Sequence, residues 1–257
     1  MNARDIGPVA LAVIGGTGLY QLAALEDSKA MTAATPYGMP SGPLRIGHFG
    51  AHRIVFLARH GEQHALPPHK VNYRANLWLL KEIGATRVLA VNAVGGITER
   101  YAPRAIGVPD QIIDYTWGRV STFCEEQGTD VLHVDMTEPY TPSLRAALLA
   151  AACKSDIAVV DGGCYGATQG PRLETKAEIA RLRRDGCDLV GMTGMPEAGL
   201  ARELGLDYAS LALVANWAAG CGDAPEITME EIHANLEHAT ASVPQLLAAL
   251  LAKLANA

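Results

Sequence analysis

The 257-residue sequence predicts one α/β domain in which an apolar sheet is covered by helices on both faces. Three observations carry that reading. Short β-like apolar runs alternate along the chain with longer stretches of helical periodicity. The composition is 49% hydrophobic, 19% charged and 5% aromatic, and charged residues below the usual ~25% suit buried parallel strands rich in Val, Leu and Ile. No repeat, low-complexity tract or linker breaks the pattern, and α/β folds of this length often run as one unit, so residues 1–257 are read as a single domain.

In chain order, apolar runs predict strands at residues 9–14, 53–58, 88–91, 111–113, 157–160, 189–192 and 208–214. Helices are expected between them. Residues 72–83 place Leu77, Leu80 and Ile83 at helical spacing, and residues 175–184 do the same with Ile179 and Leu182. From Glu230 onward Ile232, Leu236, Val243, Leu247, Leu250 and Leu254 recur every three, four or seven residues, an amphipathic pattern bent or broken near Pro244. Its expected use is core packing.

Charge and length exclude several functions. A net charge of -6 argues against a protein that neutralises many nucleic-acid phosphates. The apolar runs at residues 9–14 and 146–152 fall far short of the ~18 residues that span a bilayer. The first run ends in Gly15-Gly16-Thr17-Gly18 without a cleavage pattern, which reads as a buried strand and predicts a cytoplasmic protein. Cys124, Cys153, Cys164, Cys187 and Cys221 are odd in number and lack any C-x-x-C, as expected of reduced, structural thiols.

The residues just past the strand ends are more informative. The first strand runs into the glycine-rich turn just named, the second into Arg59-His60-Gly61, the third into Asn92-Ala93-Val94-Gly95-Gly96, the sixth into Thr193-Gly194-Met195-Pro196-Glu197, and the last ends at Ala215-Asn216. Ligands of open α/β sheets bind beyond the carboxyl ends of strands, so these endings predict one shared crevice. The glycine turn can offer backbone N–H groups to an anion, with the Thr17 hydroxyl as a further donor. It lacks the third glycine and the distant acid of a dinucleotide site; the alternative is a tight strand-to-helix turn. Arg59 beside His60 can clamp a phosphate dianion, or be a surface pair. His60-Gly61-Glu62 reads as the H-x-E of zinc deaminases, and His60, Glu62 and His64 could alternate on a strand, but P-C-x-x-C is absent and no metal is expected. Glu174, in Gly170-Pro171-Arg172-Leu173-Glu174-Thr175, can cap a helix or face a ligand, and Thr193 can cap or hold an anion.

Taken in order, the glycine turn, Arg59-His60, Asn92 to Gly96, Gly170 to Thr175, Met192 to Glu197 and the Asn216 strand end resemble the trimeric purine nucleoside phosphorylase and methylthioadenosine phosphorylase family over nearly the whole chain. The resemblance implies a nucleoside phosphorylase fold with a central mixed, twisted β-sheet flanked by helices. It also implies cleavage of a purine nucleoside by inorganic phosphate, which is a co-substrate, with no cofactor. Thr17, Arg59, His60, the backbone N–H of Ala93 and Thr193 match the phosphate site; Val94, Gly95, Leu173, Glu174 and Asn216 match the purine site; Met192 matches the residue against the sugar. Asn216, Glu174 and His60 are the catalytic set so implied. His133, before Met136-Thr137-Glu138-Pro139, resembles the residue that closes a neighbouring subunit's pocket, which implies a homotrimer.

Around residues 58–64 and 71–76 the chain looks most like the methylthioadenosine branch, yet its purine segments depart from it. Asn216 and Ala218 stand where that branch has aspartates, while Glu174 and Asn92 follow the 6-oxopurine branch. Leu173 replaces an aromatic residue expected against the base. Met229 stands where the 6-oxopurine branch has a histidine for the sugar 5'-hydroxyl. The combination implies a 6-oxopurine on a sugar with an apolar 5'-substituent, hence S-methyl-5'-thioinosine. The alternatives are methylthioadenosine or inosine and guanosine phosphorolysis and, from other classes, a dinucleotide oxidoreductase or a noncatalytic nucleoside-binding protein.

Overall fold

β-Branched and leucine-rich runs occupy the centre of an eleven-stranded mixed sheet in the computed structural model, which describes residues 7–16, 25–125, 130–223 and 226–255. Strand β1 (Leu11–Gly15) is buried throughout and lies between β4 (His52–Ala58) and β5 (Arg87–Gly96), parallel to both. β5 pairs on its other flank with the parallel β11 (Asp207–Trp217) along its whole length. An antiparallel pair, β2 (Glu26–Met31) and β3 (Leu44–Phe49), extends the β4 edge. Beyond β5 come β10 (Leu189–Gly191), antiparallel to it, then β9 (Cys164–Ala167) and β7 (Gln111–Asp114), each parallel to its neighbour. β6 (Ile106–Val108) joins β11 to the short β8 (Val160–Asp161).

The helices follow from the same chemistry. α1 (Tyr73–Glu82) starts where the Asn72 side chain accepts from the Ala75 N–H at 3.1 Å. α3 (Lys176–Arg184) starts at a capping box between Thr175 and Glu178. α1 and α4 (Gly194–Glu203) cover one face, through Leu77, Leu80, Ala198 and Ala201. α2 (Pro142–Lys154), α5 (Met229–Thr240) and α6 (Val243–Leu254) cover the other, through Leu148, Leu236, Leu247 and Leu250. No helix among the described residues is long and apolar enough to cross a membrane.

Three expectations need correction. Composition alone suggested parallel strands; the sheet is mixed, as the resemblance implied. The run at residues 157–160 forms a ladder only at Val160–Asp161; Ile157 and Val159 pack against the hydrophobic core without strand partners. Asn92 to Gly96 are not a loop after a strand but the second half of β5. The C-terminal amphipathic stretch breaks close to Pro244, as expected, at residues 241–242, and Pro244 sits in the first turn of α6, where its missing N–H costs nothing.

Candidate active site

The site begins as a gap in the sheet. On one flank of β5 the ladder with β1 ends at the pair Gly15 and Val91, and the ladder with β10 begins at Gly95 and Val190, so residues 92–94 have no strand beside them there. The Val91 carbonyl faces that flank, where it accepts from Arg59 Nη1 at 3.1 Å. Peptide groups alternate direction along a strand, so Ala93 turns its N–H to the same side, into the gap. A cavity of about 450 Å³ occupies this place.

Its inner end holds Gly16, Arg59, His60, Ala93 and Thr193. Arg59, immediately after β4, is no surface pair: it is 1% exposed and forms a bidentate ion pair with the fully buried Glu197, Nε to Oε2 at 2.8 Å and Nη2 to Oε1 at 3.0 Å. Burial opposes the charge, but the Glu197 carboxylate outweighs it and raises the guanidinium above its ordinary value. The Tyr208 hydroxyl donates to the same carboxylate at 2.9 Å. Gly16 keeps the space beside this group open, since a Cβ there would lie 3.5 Å from Arg59 Nη1 and 3.7 Å from His60 Cδ2.

His60 is lowered from 6.5 to about 4, by burial first and by the neighbouring Arg59 charge second. Its Nδ1 lies 2.8 Å from the Leu66 carbonyl, which only accepts, so Nδ1 carries the proton of the neutral ring and Nε2 presents a lone pair. The His64 ring lies 4.7 Å from it, tilted by 45°, in a turn and not on a strand, with a left-handed φ of 53°. Thr193 occupies the N-cap position of α4 but makes no cap hydrogen bond. Its Oγ1 instead accepts from Asn92 Nδ2 at 2.8 Å, and Ser210 Oγ donates to Asn92 Oδ1 at 2.9 Å. With its Oγ1 accepting from Asn92, the Thr193 hydroxyl keeps its hydrogen as a donor, within reach of the Tyr165 hydroxyl as well as the cavity.

The outer end brings together Val94, Gly95, Leu173, Glu174, Met192, Asn216, Ala218, Ile227, Met229 and Ile232. Asn216 lies beside a bulge, where Ala215 is the extra residue between the pairs Val214 with Val94 and Asn216 with Gly95. The bulge carbonyl of Ala215 accepts from Asn235 Nδ2 at 2.8 Å, tying β11 to α5. Asn216 spends one N–H on the Trp217 carbonyl at 2.7 Å and keeps Oδ1 and the other N–H for a ligand. Glu174 is not a helix cap, because Thr175 takes that role; its Oε1 accepts from Thr168 Oγ1 at 2.5 Å. Leu173 and Met229 line the cavity while 45% and 61% exposed.

Two predicted residues are not seen at this cavity, one by its position and one because it is not described. His133 is exposed in an irregular segment and does not line the cavity. Thr17 lies outside the described residues.

This geometry sits on a chain whose residues 10–252 match the sequence model of the phosphorylase superfamily. The chain belongs to that superfamily. It is 64% identical over 242 residues, 94% of this chain and 97% of the other, to a protein of Xanthomonas campestris named probable S-methyl-5'-thioinosine phosphorylase. A protein of the same name from Xylella fastidiosa is 65% identical over 228 residues, 89% and 96% of the two chains. Among solved structures, methylthioadenosine phosphorylase from Schistosoma mansoni in complex with adenine superposes with a TM-score of 0.92 at 32% identity, covering 97% of this chain and 93% of that one.

In this phosphorylase, sequence reasoning missed the residues that hold the others. Glu197 was visible only as part of a motif; its pairing with Arg59 spans 138 positions. Arg119 was not visible at all. Its guanidinium donates to the carbonyls of Met192 at 2.8 Å, Met195 at 2.7 Å, Thr168 at 3.1 Å and Gln169 at 2.8 Å, binding the two loops that carry Thr193 and Glu174. An Arg in an irregular polar stretch gives no signal for such a role.

Proposed function

We propose that this chain catalyses phosphorolysis of S-methyl-5'-thioinosine to hypoxanthine and 5-methylthioribose 1-phosphate. The observation that carries the reading is that Glu174 and Asn216 share one cavity with an anion-suited inner end and with an apolar wall of Ile227, Met229 and Ile232. A 6-oxopurine offers N1–H to a carboxylate and O6 or N7 to an amide N–H. A methylthio group suits the apolar wall, where a buried hydroxyl would lack a partner. The names of the similar proteins from Xanthomonas and Xylella support the same substrate.

In this reading phosphate is held by Arg59 Nη1, the Ala93 N–H and the Thr193 hydroxyl, with Thr17 as a further donor. Neutral His60 accepts through Nε2 from a protonated phosphate oxygen or a sugar hydroxyl. A phosphate oxygen attacks the anomeric carbon while its bond to purine N9 breaks. The sugar passes through oxocarbenium character beside the phosphate anion, and the electron pair leaves with the base. Asn216 Nδ2 donates to the charge that builds on the purine, Glu174 accepts N1–H, and Met192 packs against the sugar. No cofactor takes part. The exposed Leu173 and Met229 rim and the exposed His133 fit a homotrimer in which one subunit's His133 closes its neighbour's cavity, and the free cysteines fit a cytoplasmic setting.

The test gives the purified protein phosphate with methylthioinosine, methylthioadenosine and inosine in parallel, reading free base by chromatography. Methylthioinosine should be preferred over methylthioadenosine by on the order of 10⁴-fold in kcat/KM, because mismatched buried hydrogen bonds are left unpaired. Turnover should collapse without phosphate. Equal base release in phosphate-free buffer would make the enzyme a hydrolase, and equal use of methylthioadenosine would overturn the base assignment.

A further inference from the structure

Thr168 comes directly after β9, and its backbone is fixed on both sides. Its N–H donates to the Gly191 carbonyl at 2.8 Å, and its own carbonyl accepts from Arg119 Nη2 at 3.1 Å. With the backbone held, the hydroxyl has two acceptors in reach: Glu174 Oε1 at 2.5 Å and the Gly191 carbonyl at 3.3 Å. A hydroxyl carries one hydrogen, and the shorter approach to a carboxylate oxygen takes it. Other partners that the local sequence offers Glu174 are engaged elsewhere. Arg172, two residues before it, points its guanidinium at Glu178 at 2.7 and 2.9 Å, and Thr175 caps α3.

We propose that Thr168 is a specificity-determining positioning residue, whose hydroxyl holds the Glu174 carboxylate as a hydrogen-bond acceptor and thereby selects 6-oxopurines over 6-aminopurines. The inference rests on the reading that Glu174 meets the purine edge. A carboxyl group is ambivalent by itself: ionised it accepts the N1–H of a 6-oxopurine, and protonated it could donate to N1 of adenine. The Thr168 hydrogen on Oε1 fixes the carboxyl plane and commits that oxygen to accepting, so Oε2 is the oxygen left to meet the purine edge. Thr168 touches neither the nucleoside nor phosphate in this arrangement; it acts through Glu174.

The experiment compares Thr168→Val, which keeps the shape and removes the hydroxyl, with Thr168→Ser, which keeps the hydroxyl. The readouts are kcat/KM for methylthioinosine and for methylthioadenosine, and KM for phosphate. T168V should lose roughly tenfold to a hundredfold in kcat/KM for methylthioinosine, the scale of one hydrogen bond to a charged group. Methylthioadenosine should not lose in proportion, so the ratio between the two nucleosides shrinks, while KM for phosphate stays put. T168S should restore the ratio. If T168V is recovered unfolded, Thr168→Ala replaces it in the same comparison. A merely structural role would lower both nucleosides alike and leave the ratio unchanged, and that outcome overturns the proposal, as does a T168S ratio no better than that of T168V. A wild-type enzyme indifferent between the two nucleosides would overturn the base assignment and this inference with it, whereas a selective wild type whose ratio ignores Thr168 overturns this inference alone.

Discussion

The two ends of the cavity are built in opposite ways. At the inner end Arg59 and Glu197 are 1% and 0% exposed, and their partners Tyr208, Val91 and Ile14 are supplied by the sheet itself. At the outer end Leu173 and Met229 are 45% and 61% exposed, apolar side chains that still face water. The Arg59–Glu197 pair is set in place before any ligand arrives. The outer end needs a substrate, a neighbouring chain or both to cover it. Groups that must stabilise charge gain from being desolvated and fixed in advance, because reorganising them during the reaction would cost what they contribute. Groups that measure the size and polarity of a substituent can wait for it.

The largest expected effect breaks the inner end. Glu197→Ala strips a buried guanidinium of its counter-charge, and urea denaturation should show a loss of roughly 3–5 kcal/mol. A loss under about 1 kcal/mol, the worth of an exposed pair, would mean that water reaches Arg59.

Next is acid sensitivity. The folded state holds the His60 proton affinity at about 4 against an ordinary 6.5, so below 6.5 the unfolded chain binds the extra proton first. Stability should therefore fall as pH drops from 6.5 towards 4, by up to about 3 kcal/mol for a shift of this size. His60→Gln should flatten that slope, leaving the smaller contribution of His64, which burial also lowers. An unchanged slope in H60Q would place the sensitivity elsewhere.

Arg119→Lys keeps a charge but loses the planar fork that serves two loops at once. A fall of about tenfold in kcat/KM, worth ~1.4 kcal/mol, should come with only a small drop in melting temperature. Wild-type kinetics would show that the loops hold themselves.

The smallest effect sharpens the outer end. Met229→His should change stability by less than about 0.5 kcal/mol, as an exposed substitution does, while improving inosine relative to methylthioinosine by several-fold. Steady-state kinetics with both nucleosides would decide it, and an unmoved ratio would take Met229 off the sugar.

Much of this was legible in the sequence because strands buried on both faces leave continuous apolar runs, and the runs at residues 9–14, 53–58 and 208–214 coincide with most of β1, β4 and β11. The β2 strand was not, since Glu26, Asp27, Ser28 and Lys29 lie at an exposed edge and carry no apolar signature. The run at residues 157–160 misled for the converse reason, since Ile157 and Val159 are apolar because they pack on the core and only Val160 pairs in a strand. In the site, residues at strand ends could be read from local motifs. Their supports could not. Glu197 reaches Arg59 across 138 positions and Ser210 reaches Asn92 across 118, distances over which only the folded sheet sets the pairing.

The neutralised Arg59 also bears on how an anion finds the site. The chain carries a net charge of -6, and the buried cation at the cavity floor is cancelled by Glu197 at contact distance. From outside, this pair is a dipole and not a positive charge, so it casts little long-range field to draw phosphate inward. Capture then depends on short-range donors met after the anion has entered, and added salt should not slow the encounter, since the net negative chain offers no attraction to screen. The enzyme would gain selectivity for anions that fit the donors over anions that are merely negative.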